Sequence, residues 1–170
     1  TMVATDGRRL ALVEEEADVN APSQGEFIIP AKAVAELNRL LQDKGEVEIK
    51  FSDNQAAFTL KDEKGSSILI ITKLIEGNYP NYRQVIPGET KERITFMREE
   101  FLHALKRAEI MTSEKANSVK LAFGKNTLAI TANSPEVGEA RESIAINYKG
   151  KEMAIAFNPK YMIDPLNSLA

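Results

Sequence analysis

Apolar and polar positions alternate along much of the chain, and the period of the alternation switches between two and 3.6. Val47-Glu48-Ile49-Lys50-Phe51 alternates strictly, Ala57-Phe58-Thr59-Leu60 alternates again after Asp53-Asn54, and residues 67–71 form a mostly apolar run after Lys64-Gly65. Period two bounded by turn residues predicts three antiparallel strands. Upstream, residues 3–13 are broken by Asp6-Gly7 and resume at Leu10-Ala11-Leu12-Val13, which predicts a strand with a turn or bulge at Gly7. Residues 14–24 are polar, contain Pro22 and Ser23, and predict a loop; Phe27-Ile28-Ile29 predicts a short strand stopped by Pro30. Between these lies a helix over 31–42, with Val34, Leu37, Leu40 and Leu41 at helical spacing, Pro30 at its start and Gly45 closing it.

The same order returns in the second half. Residues 78–87, holding Tyr79, Pro80, Tyr82, Arg83 and Pro87, predict an ordered connector, and the polar stretch 87–93 is the candidate boundary. Residues 94–96 predict a strand, 98–111 a helix with Phe101, Leu102, Leu105 and Ala108 on one stripe, and 119–123, 127–131 and 143–148 three strands, the first two joined at Gly124-Lys125-Asn126. Residues 153–157 predict another strand and 159–169 a last helix interrupted by Pro165, either kinked there or restarted with Asp164 as cap. Strand, helix and three strands thus occur twice. Each helix can bury its apolar stripe on one face of an antiparallel sheet, an α+β class.

Composition narrows the function. With no Cys, disulfides and thiolate zinc sites are excluded, and the single His103 cannot make a His-rich metal site. No apolar run approaches the roughly 20 residues of a membrane helix, and residues 1–9 have neither a basic nor an apolar leader region. A soluble cytoplasmic protein without cofactor or metal is the default expectation. The formal net charge of −3 argues against a general nucleic-acid coat protein, although a local basic face remains compatible with it. At about 100° per residue, Lys32 and Arg39 share one direction on the first helix, opposite Val34, Leu37 and Leu41; Lys106 and Arg107 lie away from most of the second stripe. Such residues could track a phosphate backbone, or simply be the solvated face that most surface helices show, diluted here by Glu36 and Glu109.

Catalysis finds no constellation. His103 has no triad partners, Glu14-Glu15-Glu16 reads as a solvated charge run rather than a cation site, and Lys125 lies in a turn without the flanking pattern of a P-loop. The expectation is a protein that binds, with no catalytic residue.

Several blocks carry a resemblance. Thr5-Asp6-Gly7-Arg8-Arg9-Leu10-Ala11 and Phe27-Ile28-Ile29-Pro30 resemble the middle domain of the bacterial DNA polymerase III beta subunit family, the DNA sliding clamps. Glu76-Gly77-Asn78-Tyr79-Pro80-Asn81-Tyr82-Arg83 resembles the connector between the second and third domains. Ile130-Thr131-Ala132-Asn133-Ser134-Pro135-Glu136 and Ala156-Phe157-Asn158-Pro159-Lys160-Tyr161 resemble the third domain. Together the blocks span nearly the whole chain in the family's order. The resemblance implies a DNA-clamp fold, from a ring of two three-domain subunits with helices lining the inside and sheets outside. Residues 1–87 would be the C-terminal part of the middle domain, 88–92 a linker, and 93–170 the N-terminal part of the third domain without its final strands. The chain would then be a truncated fragment, unable to close a native ring and prone to self-association through unpaired sheet edges.

The resemblance also implies sites. A hydrophobic groove that takes short linear peptides from DNA polymerase III, the clamp loader and other partners would use Thr5, Gly7, Arg8, Arg9, Leu10, Pro80, Val85, Asn158 and Tyr161. Leu10, Pro80 and Val85 would form an apolar floor, Gly7 would admit a partner backbone, Tyr161 would offer a large surface with a polar tip, and Arg9 and Asn158 would fix peptide polar atoms. Read without the resemblance, Leu10, Pro80 and Val85 fit a core, Asp6-Gly7 a plain turn and Tyr161 a packing residue. Gln84 and Ala116 depart from family members that have an arginine and a bulky aromatic there. Lys32, Arg39, Lys106, Arg107 and Lys160 would face duplex DNA loosely and without base reading, and Ile110 and Met111 would lie at the subunit interface of the homodimeric ring. The alternative function is a clamp-like protein-interaction scaffold that does not encircle DNA.

Overall fold

A computed structural model describes residues 1–16, 25–90, 92–113 and 117–169; Pro22 and Ser23 of the expected loop, and Ala116, lie outside them. The chain divides into two compact units, one of Thr1–Val3 with Leu12–Ile86 and the other of Ala4–Ala11 with Pro87–Ala170.

Strands β1 (Met2–Thr5) and β2 (Leu10–Val13) pair as a hairpin whose turn spans the Asp6-Gly7 break. Gly7 sits at φ 81, where a side chain is costly. Residues Ala4–Ala11, the turn end of this hairpin, group with the second unit.

In the first unit, α1 (Ala31–Leu40) precedes an antiparallel sheet of β3 (Glu46–Phe51), β4 (Gln55–Lys61) and β5 (Ser67–Lys73), in that order. The register sets Val47, Ile49 and Phe51 opposite Leu60, Phe58 and Ala56 on one face. Ile68 and Ile70 continue that face beside Leu60 and Phe58. Only Ala56, Phe58 and Leu60 of the central strand are buried. The helix buries Ala33, with Leu37 and Leu40 half-buried, whereas Val34 and Leu41 are about half exposed. The expected stripe is therefore rotated. Ala33, Leu37 and Leu40 share one direction and Val34 lies roughly a quarter-turn away, while Leu41 falls just past the helix end in extended backbone. At the other end of the sheet, Phe27 packs on Phe51 with ring centroids 4.9 Å apart.

Residues 27–29 do not form the expected strand. Their carbonyl at Ile28 accepts a single bond from Ile75 N (2.9 Å), and Pro30 has no N–H with which to continue a ladder. A short 3-10 turn, Tyr82–Gln84, follows in the connector.

The second unit has a fuller core. Helix α2 (Arg98–Glu109) and helix α3 (Lys160–Ser168) accompany a four-stranded antiparallel sheet of β6 (Val119–Gly124), β7 (Thr127–Ser134), β8 (Gly138–Ala145) and β9 (Met153–Phe157), ordered β8-β7-β6-β9. Phe101, Leu102, Ala104, Leu105 and Ala108 pack with Val119, Leu121, Leu128, Ile130, Ile144 and Ile163. The expected stripe is present, widened by Ala104. Residues 94–96 form no strand; Phe96 instead stacks on Phe101 at 4.8 Å, so its apolar pattern reflects packing without strand pairing. Strand β8 starts earlier than the apolar residues 143–148 predict, because its charged outer end pairs with β7 as far as Ser134↔Gly138.

Helix α3 runs through Pro165 as one element, without a restart at Asp164. Asn158 Oδ1 accepts the Lys160 N–H (3.0 Å), which satisfies a donor at the helix start. Arg98 Nη1 donates to the Leu166 carbonyl at 2.9 Å and joins the two helices. Among the described residues, no helix is long and apolar enough to cross a membrane.

Candidate functional site

The hairpin turn is built by its own side chains. Thr5 Oγ1 donates to the Arg9 carbonyl (2.8 Å) and accepts the Gly7 N–H (3.1 Å). Asp6 Oδ1 accepts the N–H groups of Arg8 and Arg9, both at 3.0 Å. These backbone donors, Arg8 first, hold the Asp6 carboxyl below its ordinary value, and the Arg9 side chain adds to the effect. Thr5 and Asp6 thus shape the loop rather than presenting free polar atoms.

The turn is fastened to α3 within the second unit. Arg9 Nη1 pairs with Asp164 Oδ2 at 2.8 Å and its Nε with Asp6 Oδ2 at 3.0 Å. The same guanidinium stands 5.2 Å from the Tyr161 ring centre, within cation–π range. Arg8 Nη1 donates to the Tyr161 hydroxyl at 3.3 Å. The Asp164 bond, ahead of that to Asp6, raises the Arg9 pKa, and the Tyr161 bond raises that of Arg8. Of the residues expected at the groove, Arg8, Arg9 and Tyr161 are therefore in contact. Asn158 Oδ1 is already engaged by the Lys160 N–H at the start of α3. Leu10 is half-buried beside the turn, and an added Cβ at Gly7 would meet nothing within 4 Å, leaving its backbone open to approach.

Pro80 and Val85 belong to the first unit, and a core role does not fit them: Pro80 is exposed and Val85 is 69% exposed. Gln84, also exposed, ends the 3-10 turn.

The basic residues divide by type. Lys32, Lys106 and Lys160 are exposed and have no ion pair among the described residues, but Arg39 bonds Glu36 (2.8 Å) and Arg107 makes two bonds to Glu142 (2.9 and 2.7 Å). Arg107 holds the Glu142 carboxyl below its ordinary value. At the end of α2, Ile110 is 67% exposed, while Met111 turns back to pack on the core.

The partners Asp164 and Glu142 were not legible as such: 155 residues separate Arg9 from Asp164. The Glu36–Arg39 pair was legible, being one helical turn apart. His103 is exposed on α2, and among the described residues no group of His, Asp or Glu could hold a metal ion.

Two consecutive family models divide the chain between them. Residues 1–81 match the central domain of the DNA polymerase III beta subunit and residues 83–170 its C-terminal domain. The chain belongs to the DNA polymerase III beta subunit family. The beta sliding clamp of Chlamydia pneumoniae is 38% identical over 166 residues, which are 98% of this chain and 44% of that protein. The beta sliding clamp of Bacillus subtilis is 36% identical over 170 residues, again 44% of its length. A crystal structure of DNA polymerase III subunit beta from Pseudomonas aeruginosa matches with a TM-score of 0.86 and 32% identity over 97% of this chain and 44% of that one. A sliding clamp from Bartonella birtlesii, solved bound to griselimycin, matches with a TM-score of 0.88 and 33% identity over 99% of this chain and 44% of its own. The α+β architecture is thus that of the DNA clamps, and the chain spans about 44% of the length of these relatives.

Proposed function

We propose that this chain is part of a replicative processivity clamp, a non-catalytic cytoplasmic ring that encircles duplex DNA, slides on it, and tethers DNA polymerase III and other partners. The observation that carries this reading is the match to two successive domains of one family in their order along the chain. Residues up to about Pro87 are then the latter part of the middle domain, 88–92 a linker, and the remainder belongs to the third domain.

The fastened turn supports a role in peptide recognition. Thr5, Gly7, Arg8, Arg9 and Leu10 lie on or beside it, with Tyr161 and Asn158 on and before α3. A rigid surface with an aromatic, an aliphatic side chain and an open glycine suits a short peptide with an apolar anchor, because little ordering is needed on binding. Exposed Pro80 and Val85 of the first unit are candidates for apolar contact with such a peptide. Lys32, Lys106 and Lys160, with Arg39 and Arg107 in their paired state, are the candidates to face DNA, and Ile110, with Met111, to meet a second subunit. The clamp loader and the homodimeric ring remain part of this proposal.

The test is a titration with a fluorescent peptide of the Gln-Leu-aromatic type, using the chain and its Leu10→Asp variant. Saturable binding that the substitution abolishes supports the reading. Equal binding by both chains would remove Leu10 and its turn from the site.

A further inference from the structure

The candidate DNA-facing cations differ in a way that their sequence positions do not show. Both arginines are held by carboxylates of their own unit, and all three lysines are free of ion pairs among the described residues. On α1, Glu36 lies between Lys32 and Arg39 along one stripe, and both Arg39 Nε and Nη2 reach its Oε2, at 3.0 and 2.8 Å. In the second unit the pairing is stronger in form. Glu142 lies beside Ile130, which is buried, and two residues before the buried Ile144, on the side of the sheet that α2 covers. Arg107 closes over it with two bonds, one to each carboxylate oxygen. A planar guanidinium engaged in this fork has its Nε–Nη2 edge occupied and its charge partly neutralised, which weakens its hold on a phosphate.

We infer that Glu36 and Glu142 act as governors of DNA affinity: they hold Arg39 and Arg107 off the phosphate backbone, so that the lysines carry the contact. This deepens the clamp reading and rests on it. An ammonium is a point charge with no required orientation, and it lets phosphates pass with little preference for one position. A forked guanidinium would dwell on each phosphate. Pairing the arginines and leaving the lysines free therefore favours weak, sliding contact. Arg39, Glu36 and Arg107 are exposed and Glu142 is partly covered, so the carboxylates restrain the arginines without locking them.

The test is anisotropy with a fluorescein-labelled duplex of mixed sequence over a series of salt concentrations. Glu142→Gln and Glu36→Gln keep the side-chain shape and remove the charge. Each should tighten binding roughly two- to fivefold at low salt and steepen the salt dependence by up to about 0.9 in slope. Arg107→Gln in the Glu142→Gln background should return the affinity to its starting value. In the parent chain, Arg107→Gln should matter less than Lys106→Gln. If Lys106→Gln and Lys32→Gln weaken binding but neither Glu substitution changes it, the inference falls and the DNA-facing reading stands. If the lysine substitutions also change nothing, both fall.

Discussion

Leu105→Ala is the sharpest test of the fold, because Leu105 is fully buried where α2 meets the sheet of the second unit. The substitution deletes three heavy atoms from a closed cluster that includes Phe101, Leu121, Leu128 and Ile130, none of which can move in without disturbing the helix or the ladder. Deletions of this kind cost about 2–5 kcal/mol, and a site that cannot collapse belongs in the upper half of that range. A unit of this size has roughly 5–14 kcal/mol of stability, so the variant should lose about a quarter of it or more. The chain has no Trp, so fluorescence is a poor reporter. Hydrogen exchange read by mass spectrometry, across a urea series, follows each unit separately. Exchange in α2 and β6–β8 should accelerate by at least about thirtyfold, the equivalent of about 2 kcal/mol. The amides of β3–β5 should be unchanged, since their buried residues Ala56, Phe58 and Leu60 belong to a different sheet. Loss of less than about 1 kcal/mol, or equal acceleration in β4, would refute the assignment of Leu105 to a separate, tightly packed core.

Pro165→Ala should stabilise α3. The restored N–H recovers a helical bond, a gain limited by the lost stiffening of the unfolded chain to about 1–2 kcal/mol, and thermal unfolding followed by circular dichroism checks it. The Asp6 carboxyl is held below its ordinary value by the N–H groups of Arg8 and Arg9. A depressed pKa means that the turn's contribution is complete above the unfolded value of about 3.9 and is lost as pH falls through the folded one. The amide resonances of Arg8 and Arg9 should therefore move only below about pH 4, and a midpoint near neutrality would contradict the assignment. The half-exposed face of Val47, Ile49, Phe51 and Ile68 should drive weak self-association, visible as concentration-dependent sedimentation and reduced by Ile49→Lys.

The alternation in 47–51 and 57–60 made β3 and β4 legible to within two residues at either end, and the spacing of Phe101, Leu102, Leu105 and Ala108 did the same for the buried side of α2. Periodicity failed where burial and pairing part company. Residues 27–29 and Phe96 look like strand residues because Phe27 and Phe96 pack on other rings, but among the described residues they join no ladder. The stripe on α1 was misplaced because a small residue, Ala33, takes the innermost position while larger neighbours stay half-exposed. At the site, Gly7 and the turn were legible from Asp6-Gly7 alone. The fastening of that turn by Tyr161 and Asp164 depends on contacts across more than 150 residues, for which local pattern carries no signal.

Amide shifts in the isotope-labelled chain, followed as a Gln-Leu-aromatic peptide is added, test whether the fastened turn and the start of α3 receive a partner peptide. Shifts should concentrate at Gly7, Arg8, Leu10, Asn158 and Tyr161, with β7 and β8 silent. Saturable shifts confined to the exposed face of β3–β5, with the turn unmoved, would contradict peptide binding at the turn.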